Sequence, residues 1–150
     1  MTSTPMADPS ESDRLACEDV VLRFTAHFDA FEHEEMERYF APDALWARHD
    51  GDICGLNDLR ERMARRPANA IVRHMMTNLR TTLLSPGHAV VESYVLVFRH
   101  QFPEGGKPPA PLGVPTVMGR YHDRLVRLDG AWKIMERRST NDFASKGKAR

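Results

Sequence analysis

The chain has 150 residues, enough for one domain that buries about two thirds of its unfolded surface. Hydrophobic residues make up 41% and charged residues 28%, ordinary for a globular protein, and Lys+Arg and Asp+Glu number 21 each. That balance argues against nucleic acid or an anionic membrane as partner, since either needs a clustered basic face.

The arginine-rich run at residues 60–66 includes Glu61 and follows a helical pattern, so it reads as a solvated face. Cys17 and Cys54 form no CxxC pair, and no HExxH occurs among the seven histidines, so no metal site is expected. The first residues show neither the basic nor the apolar region of a signal peptide. No apolar run approaches the ~20 residues that cross a bilayer. The expectation is a cytoplasmic protein with reduced cysteines.

In chain order, residues 1–9 are polar, contain two prolines and are expected to be disordered. Ser10 with Asp13 approximates a capping box, and Ala16, Val20, Phe24 and Phe28 recur at four-residue spacing. The pattern predicts an amphipathic helix to about Ala30. A second short helix is expected over residues 33–40, ahead of Pro42, and a short strand containing Trp46 over residues 44–48. Residues 51–55 turn the chain, and Asn57 is the expected cap of a third helix, stopped by Pro67.

From Ile71 the period changes to two. Residues 71–84 and 89–102 predict long strands around Ser85-Pro86-Gly87-His88. Residues 116–128 and 131–140 predict another hairpin around Leu128-Asp129-Gly130. Between the hairpins, residues 103–115 hold five prolines and three glycines, either a plain connection or a lid. The basic residues 145–150 are expected to be disordered. Helices first and a mostly antiparallel sheet after them give an α+β class. A strongly curved sheet would wrap the helices into a cone with an internal pocket.

His74, Met76 and Asn78 alternate at the start of a strand and so are expected on one face. Together they offer a proton-transfer group, an apolar filler and an amide. Trp46, Tyr94, Phe98 and Met118 are further candidate pocket walls. Strict alternation in the last strand puts Arg138 on the face of Trp132 and Ile134, with Arg137 on the other. His100 and His122 are additional polar residues on long strands, and His27, His33, His49 and His88 read as surface.

Several spaced pieces carry a resemblance. They are Asp29 at the end of the first helix, then Phe40-Ala41-Pro42-Asp43-Ala44-Leu45-Trp46, and Gly55 opening the third helix. His74, Thr77 and Asn78 follow, then Gly119-Arg120-Tyr121-His122-Asp123 and Asp129-Gly130-Ala131-Trp132-Lys133-Ile134. In this order they resemble the nuclear transport factor 2-like superfamily, in its SnoaL-like branch of scytalone dehydratase, hexachlorocyclohexane dehydrochlorinase and polyketide cyclase relatives. The resemblance covers roughly residues 11–143; the domain is expected at residues 10–143, with 144–150 as a disordered basic tail.

The resemblance implies a catalytic pair of Asp29 with His74 and favours Arg137 as the inward cation. It also carries a departure: several catalytic members have Tyr or Lys where this chain has Phe24. Either another residue, such as His100 or His122, supplies that group, or the chemistry differs, or there is none. An aspartate accepting from one ring nitrogen of His74 would raise the basicity of the other.

The expected function is a cofactor-independent lyase (dehydratase or elimination type) or isomerase. It would act on a small apolar cyclic or aromatic molecule, with Asp29, His74 and Arg137 catalytic. Substrate contacts would come from Phe24, Trp46, Met76, Asn78, Tyr94, Phe98 and Met118. The alternatives are a non-catalytic binding or assembly module of the same fold, or the small subunit of a ring-hydroxylating oxygenase. No cofactor is expected, and a homo-dimer or homo-trimer is.

Overall fold

The computed structural model describes residues 9–145. Of the ends expected to be disordered, 1–9 and 144–150, residues 1–8 and 146–150 lie outside the described residues. Pro9, by contrast, opens the first helix, and Ala144 closes the last strand, paired with Val117. The first helix, α1 (Pro9–Ala30), buries Cys17, Val20, Val21 and Phe24 along the expected stripe. It ends in a reciprocal pair of turn bonds, Phe31 N–H to the Phe28 carbonyl (3.3 Å) and Glu32 N–H to the His27 carbonyl (3.0 Å). Phe31 sits in the left-handed region at φ 61°, a position that glycine usually fills.

The second helix, α2 (His33–Met36), is shorter than expected; residues Glu37–Tyr39 tighten into a 3₁₀ turn. Strand β1 (Phe40–Ala47) then starts four residues early. Phe40 is fully buried and pairs in parallel with Ile134 of the last strand, so burial in the sheet overrides the helical pattern.

After β1 come a two-residue strand, β2 (Ile53–Cys54), and α3 (Gly55–Ala64). Asn57 lies inside α3. The N-cap is Cys54, whose side chain makes no capping bond; Asp58 in the first turn reaches back and accepts the Cys54 N–H at 3.0 Å.

Four long strands follow: β3 (Ala70–Ser85), β4 (His88–Gln101), β5 (Val117–Leu128) and β6 (Ala131–Ala144). The sheet order is β2-β1-β6-β5-β4-β3, antiparallel throughout except for the β1–β6 pair. The Asp129-Gly130 turn has positive φ at both residues, 49° and 80°, which suits the twist of a two-residue hairpin.

The helices cover one face of this curved, unclosed mixed sheet. The core gathers Phe24, Phe40, Trp46, Val91, Leu125 and Ile134 between α1, α3 and the inner face. Among the described residues, no helix is long and apolar enough to cross a membrane.

Two bulges decide which side chains face inward. In β3, Thr77 pairs with Tyr94 and Arg80 with Glu92, so one extra residue is inserted at Asn78-Leu79. Asn78 takes a positive φ of 54° there. In β6, Ile134 pairs with Leu125 and Glu136 with Arg124, leaving Met135 as the extra residue. Each insertion flips the alternation beyond it.

Candidate active site

Asp29 is in the last turn of α1, where the helix dipole is negative and opposes a carboxylate. Two donors from β3 answer that cost. The Nδ1 of His74 lies 2.6 Å from Asp29 Oδ1, and the His74 backbone N–H donates to Oδ2 at 2.7 Å. The carboxylate therefore clamps both ring and backbone of the histidine. Arg66 adds positive charge to the same helix end by donating to the Phe28 carbonyl at 2.6 Å.

The His74 and Asp29 side chains are 9% and 11% exposed, so the pair is shielded while remaining accessible. With Nδ1–H donated to Asp29, Nε2 carries the lone pair and has no hydrogen-bond partner among the described residues.

The imidazole borders a cavity of about 190 Å³. Phe28 meets the His74 ring edge-on at 5.4 Å, and Tyr121 lies 6.4 Å away. Trp46, Val95, Val97 and Ser139 close other sides, with the Trp46 indole N–H donating to Ser139 Oγ at 3.0 Å. Burial pushes the Tyr121 phenol up, partly offset by the Arg137 charge, so the hydroxyl stays protonated and able to donate. Among the described residues no three His, Cys, Asp or Glu side chains converge as a metal set.

Arg137 faces inward, because the Met135 bulge moves the alternation that would otherwise have selected Arg138. It does not border the cavity. Its guanidinium donates from Nε to Asp123 Oδ1 (2.6 Å), from Nη2 to Oδ2 (3.0 Å) and from Nη1 to Thr25 Oγ1 (3.2 Å). It lies 4.3 Å from the Tyr121 ring centroid, behind the cavity wall. Burial works against its charge, but the charge and hydrogen bonds of Asp123 outweigh this and hold the guanidinium firmly protonated. Arg138 is outside, paired with Glu136 at 2.6 Å.

The remaining expected wall residues divide by face. Trp46 lines the cavity. Phe24 is one layer deeper, fully buried, 5.4 Å from Trp46 and 5.6 Å from Phe40. Met76 faces inward but lies beside Thr25 and Asp29 in a separate groove along α1.

Asn78 is a correction: the bulge turns it to the outer face, where its side-chain oxygen accepts from Thr77 Oγ1. Tyr94, Phe98 and Met118 are corrections too. In β4 and β5 the inward positions are the odd-numbered Val95, Val97, Val117 and Tyr121, so these three point outward. His100 and His122 share that outer side, at a distance from the pair.

Sequence reasoning passed over Phe28, Tyr121, Ser139 and Arg99 as cavity residues. Tyr121 lies in the Gly119-Arg120-Tyr121-His122-Asp123 motif, two residues before the buried Asp123, and that alternation is the signal that marks it.

An Asp–His pair beside a cavity in a cone of helices on a curved mixed sheet defines a class, the nuclear transport factor 2-like α+β proteins. The chain belongs to the SnoaL-like domain family, whose model matches residues 10–138. Solved structures agree on the fold. A candidate scytalone dehydratase from Novosphingobium aromaticivorans DSM 12444 is 21% identical with a TM-score of 0.77, covering 97% of this chain and 94% of that one.

Hexachlorocyclohexane dehydrochlorinase LinA-type3 from Novosphingobium barchaimii LL02 is 18% identical with a TM-score of 0.75, over 91% and 90% of the two chains. A candidate aromatic ring hydroxylase from Novosphingobium aromaticivorans is 23% identical with a TM-score of 0.74, over 91% and 93%. No curated protein matches the sequence.

Proposed function

We propose that the chain is a lyase or isomerase in which His74 removes a proton from a small cyclic or aromatic substrate. The observation that carries this reading is the 2.6 Å contact between His74 Nδ1 and Asp29 Oδ1, with Nε2 unbonded beside the cavity. Asp29 fixes the tautomer and stabilises the imidazolium that forms. A positioned base of this kind contributes about 10²–10⁴ in rate.

Tyr121 is the donor best placed to meet negative charge developing on a substrate oxygen or leaving group. Arg137 acts through Tyr121 as a positioning residue, because its donors are committed to Asp123 and Thr25. Relatives of the same fold named for dehydration and dehydrochlorination support elimination as the reaction class. Proton return to another carbon, giving an isomerase, uses the same base.

The test pairs wild type with His74→Ala. Both are screened by mass spectrometry against hydroxylated and halogenated cyclic compounds and aromatic alcohols. Turnover that collapses in the variant, with the circular dichroism spectrum unchanged, supports the reading. Turnover that survives overturns His74 as the base. Thermal stabilisation by panel compounds without any turnover moves the assignment to a binding module, a reading that the fully buried phenyl of Phe24 favours.

A further inference from the structure

A second hollow of about 270 Å³ adjoins the cavity beside His74. The two share Phe28, Arg48, Asp50, Val72 and Arg99 in their walls. Arg62, Arg65 and Arg66 complete a ring of five guanidinium groups around this hollow. A chain with no formal net charge thus concentrates cations at one entrance.

Carboxylates answer only some of them. Asp50 pairs with Arg48 at 2.9 Å and Arg62 at 3.2 Å, and Glu61 pairs with Arg65 at 2.9 Å. Arg66 instead donates to neutral acceptors, the Phe28 carbonyl at 2.6 Å and the His33 ring at 3.1 Å. Arg99 contributes its backbone N–H to Thr116 Oγ1, and its side chain has no partner among the described residues. Burial, reinforced by the charges of Arg99 and Arg48 and partly offset by Asp29, draws the Arg66 guanidinium down to about 10. Burial is the main cause, and the two neighbouring guanidinium groups act in the same direction.

Arg66 is also held in place. Its guanidinium carbon lies 3.7 Å from the Phe28 ring centroid and 4.0 Å from that of Phe31. Phe31 reaches this position through its left-handed backbone, a costly conformation for a bulky residue. With rings against its faces, the group offers a planar edge, which suits the two coplanar oxygens of a carboxylate. Arg99 pairs in register with Val72, and His74 pairs with Val97. The cationic position and the base are therefore two residues apart along adjacent strands, about 7 Å or one ring's width.

We propose that this hollow seats a carboxylate carried by the substrate, held by Arg66 and Arg99 one ring's width from the atom that His74 deprotonates. The orientation rests on the function proposed above, whereas the anion seat stands on the arginines alone. The substrate class becomes a cyclic or aromatic carboxylic acid, its ring in the apolar cavity and its charge at the entrance.

Calorimetric titration of the 150-residue chain tests the seat without needing turnover. The probes are benzoate, cyclohexanecarboxylate, the two matching carboxamides and inorganic phosphate. Wild type should bind the carboxylates at least ~10-fold more tightly than the carboxamides, the range for a hydrogen-bonded charge. The preference should shrink at high salt.

Arg99→Gln, an exposed position outside the core, should abolish most of the preference, and Arg66→Lys should reduce it by removing the fork while keeping the charge. His74→Ala should keep it. Equal binding of carboxamides, retention of neither class, tighter binding of phosphate, or a preference unchanged in Arg99→Gln each overturns the proposal. His74-dependent turnover of neutral rings without any anion preference would leave the proposed function standing and this inference refuted. Anion preference without His74-dependent turnover would do the reverse.

Discussion

Asp123 and Arg137 stand directly opposite each other on β5 and β6, are essentially unexposed, and join through two parallel hydrogen bonds of 2.6 and 3.0 Å. The pair sits behind Tyr121, whose ring lies against the guanidinium. A charge buried this deeply is tolerable only while its partner is present.

Asp123→Asn should therefore cost about 3–5 kcal/mol, because it strands the guanidinium in the core. Replacing both members with apolar residues of similar volume should recover most of that loss. Urea titration of the single and double variants measures the difference. Equal losses in both would show that the pair contributes more than mutual compensation.

Asp29→Asn keeps the shape of the clamp on His74 but removes the charge that stabilises the imidazolium. An asparagine can still accept the His74 backbone N–H through its side-chain oxygen. The expected result is a fall in kcat of about 10²-fold or more with the fold retained. Initial rates on any substrate found for wild type check this.

Asp50 gives the entrance a pH dependence. Partial burial pushes its carboxyl up, but the hydrogen bond from Arg48 and the charges of Arg48 and Arg62 outweigh this and hold it at about 2, against an ordinary 3.8. The folded value lies below the unfolded one, so the stabilisation is complete above pH 3.8 and is lost as pH falls toward 2. Melting temperatures of Asp50→Asn across this range should decline less steeply than those of wild type.

The two cysteines should differ sharply in reactivity. Cys17 is fully buried in α1, and burial, with the Asp13 charge adding, pushes its thiol up to about 12. Cys54 is exposed at the edge of the sheet. A thiol reagent should modify Cys54 alone in the native protein and both cysteines after unfolding. Labelling of Cys17 at the native rate would place α1 among the locally opening elements.

An apolar row crosses the outer face: Met75, Leu96, Met118 and Phe143 pair in register across β3, β4, β5 and β6. Met75 is 57% exposed and Phe143 68%. We propose that the expected homo-dimer or homo-trimer forms through this outer sheet face. Met118→Lys, at the middle of the row, should shift light-scattering mass toward the monomer while leaving the circular dichroism spectrum unchanged.

Periodicity was enough for the long elements, but not for the short helix at 33–36, the early start of β1 or the two-residue β2. Apolar residues at four-residue spacing marked α1, two-residue alternation marked four long strands, and Asp129-Gly130 marked its hairpin. Local chemistry repeats along the chain, so it can be read there. The family motifs also brought Asp29 and His74 to attention, although 45 residues separate them.

Which side of the sheet each residue serves was decided only in three dimensions. One extra residue at Asn78-Leu79 sent the amide outward, and one at Met135 brought Arg137 inward, where alternation had selected Arg138. Tyr94, Phe98 and Met118 were lost from the cavity for a related reason: a period of two names two faces but not which one meets the helices. The gathering of Arg48, Arg66 and Arg99 at one entrance depends on three separate elements packing together, and no local pattern encodes that.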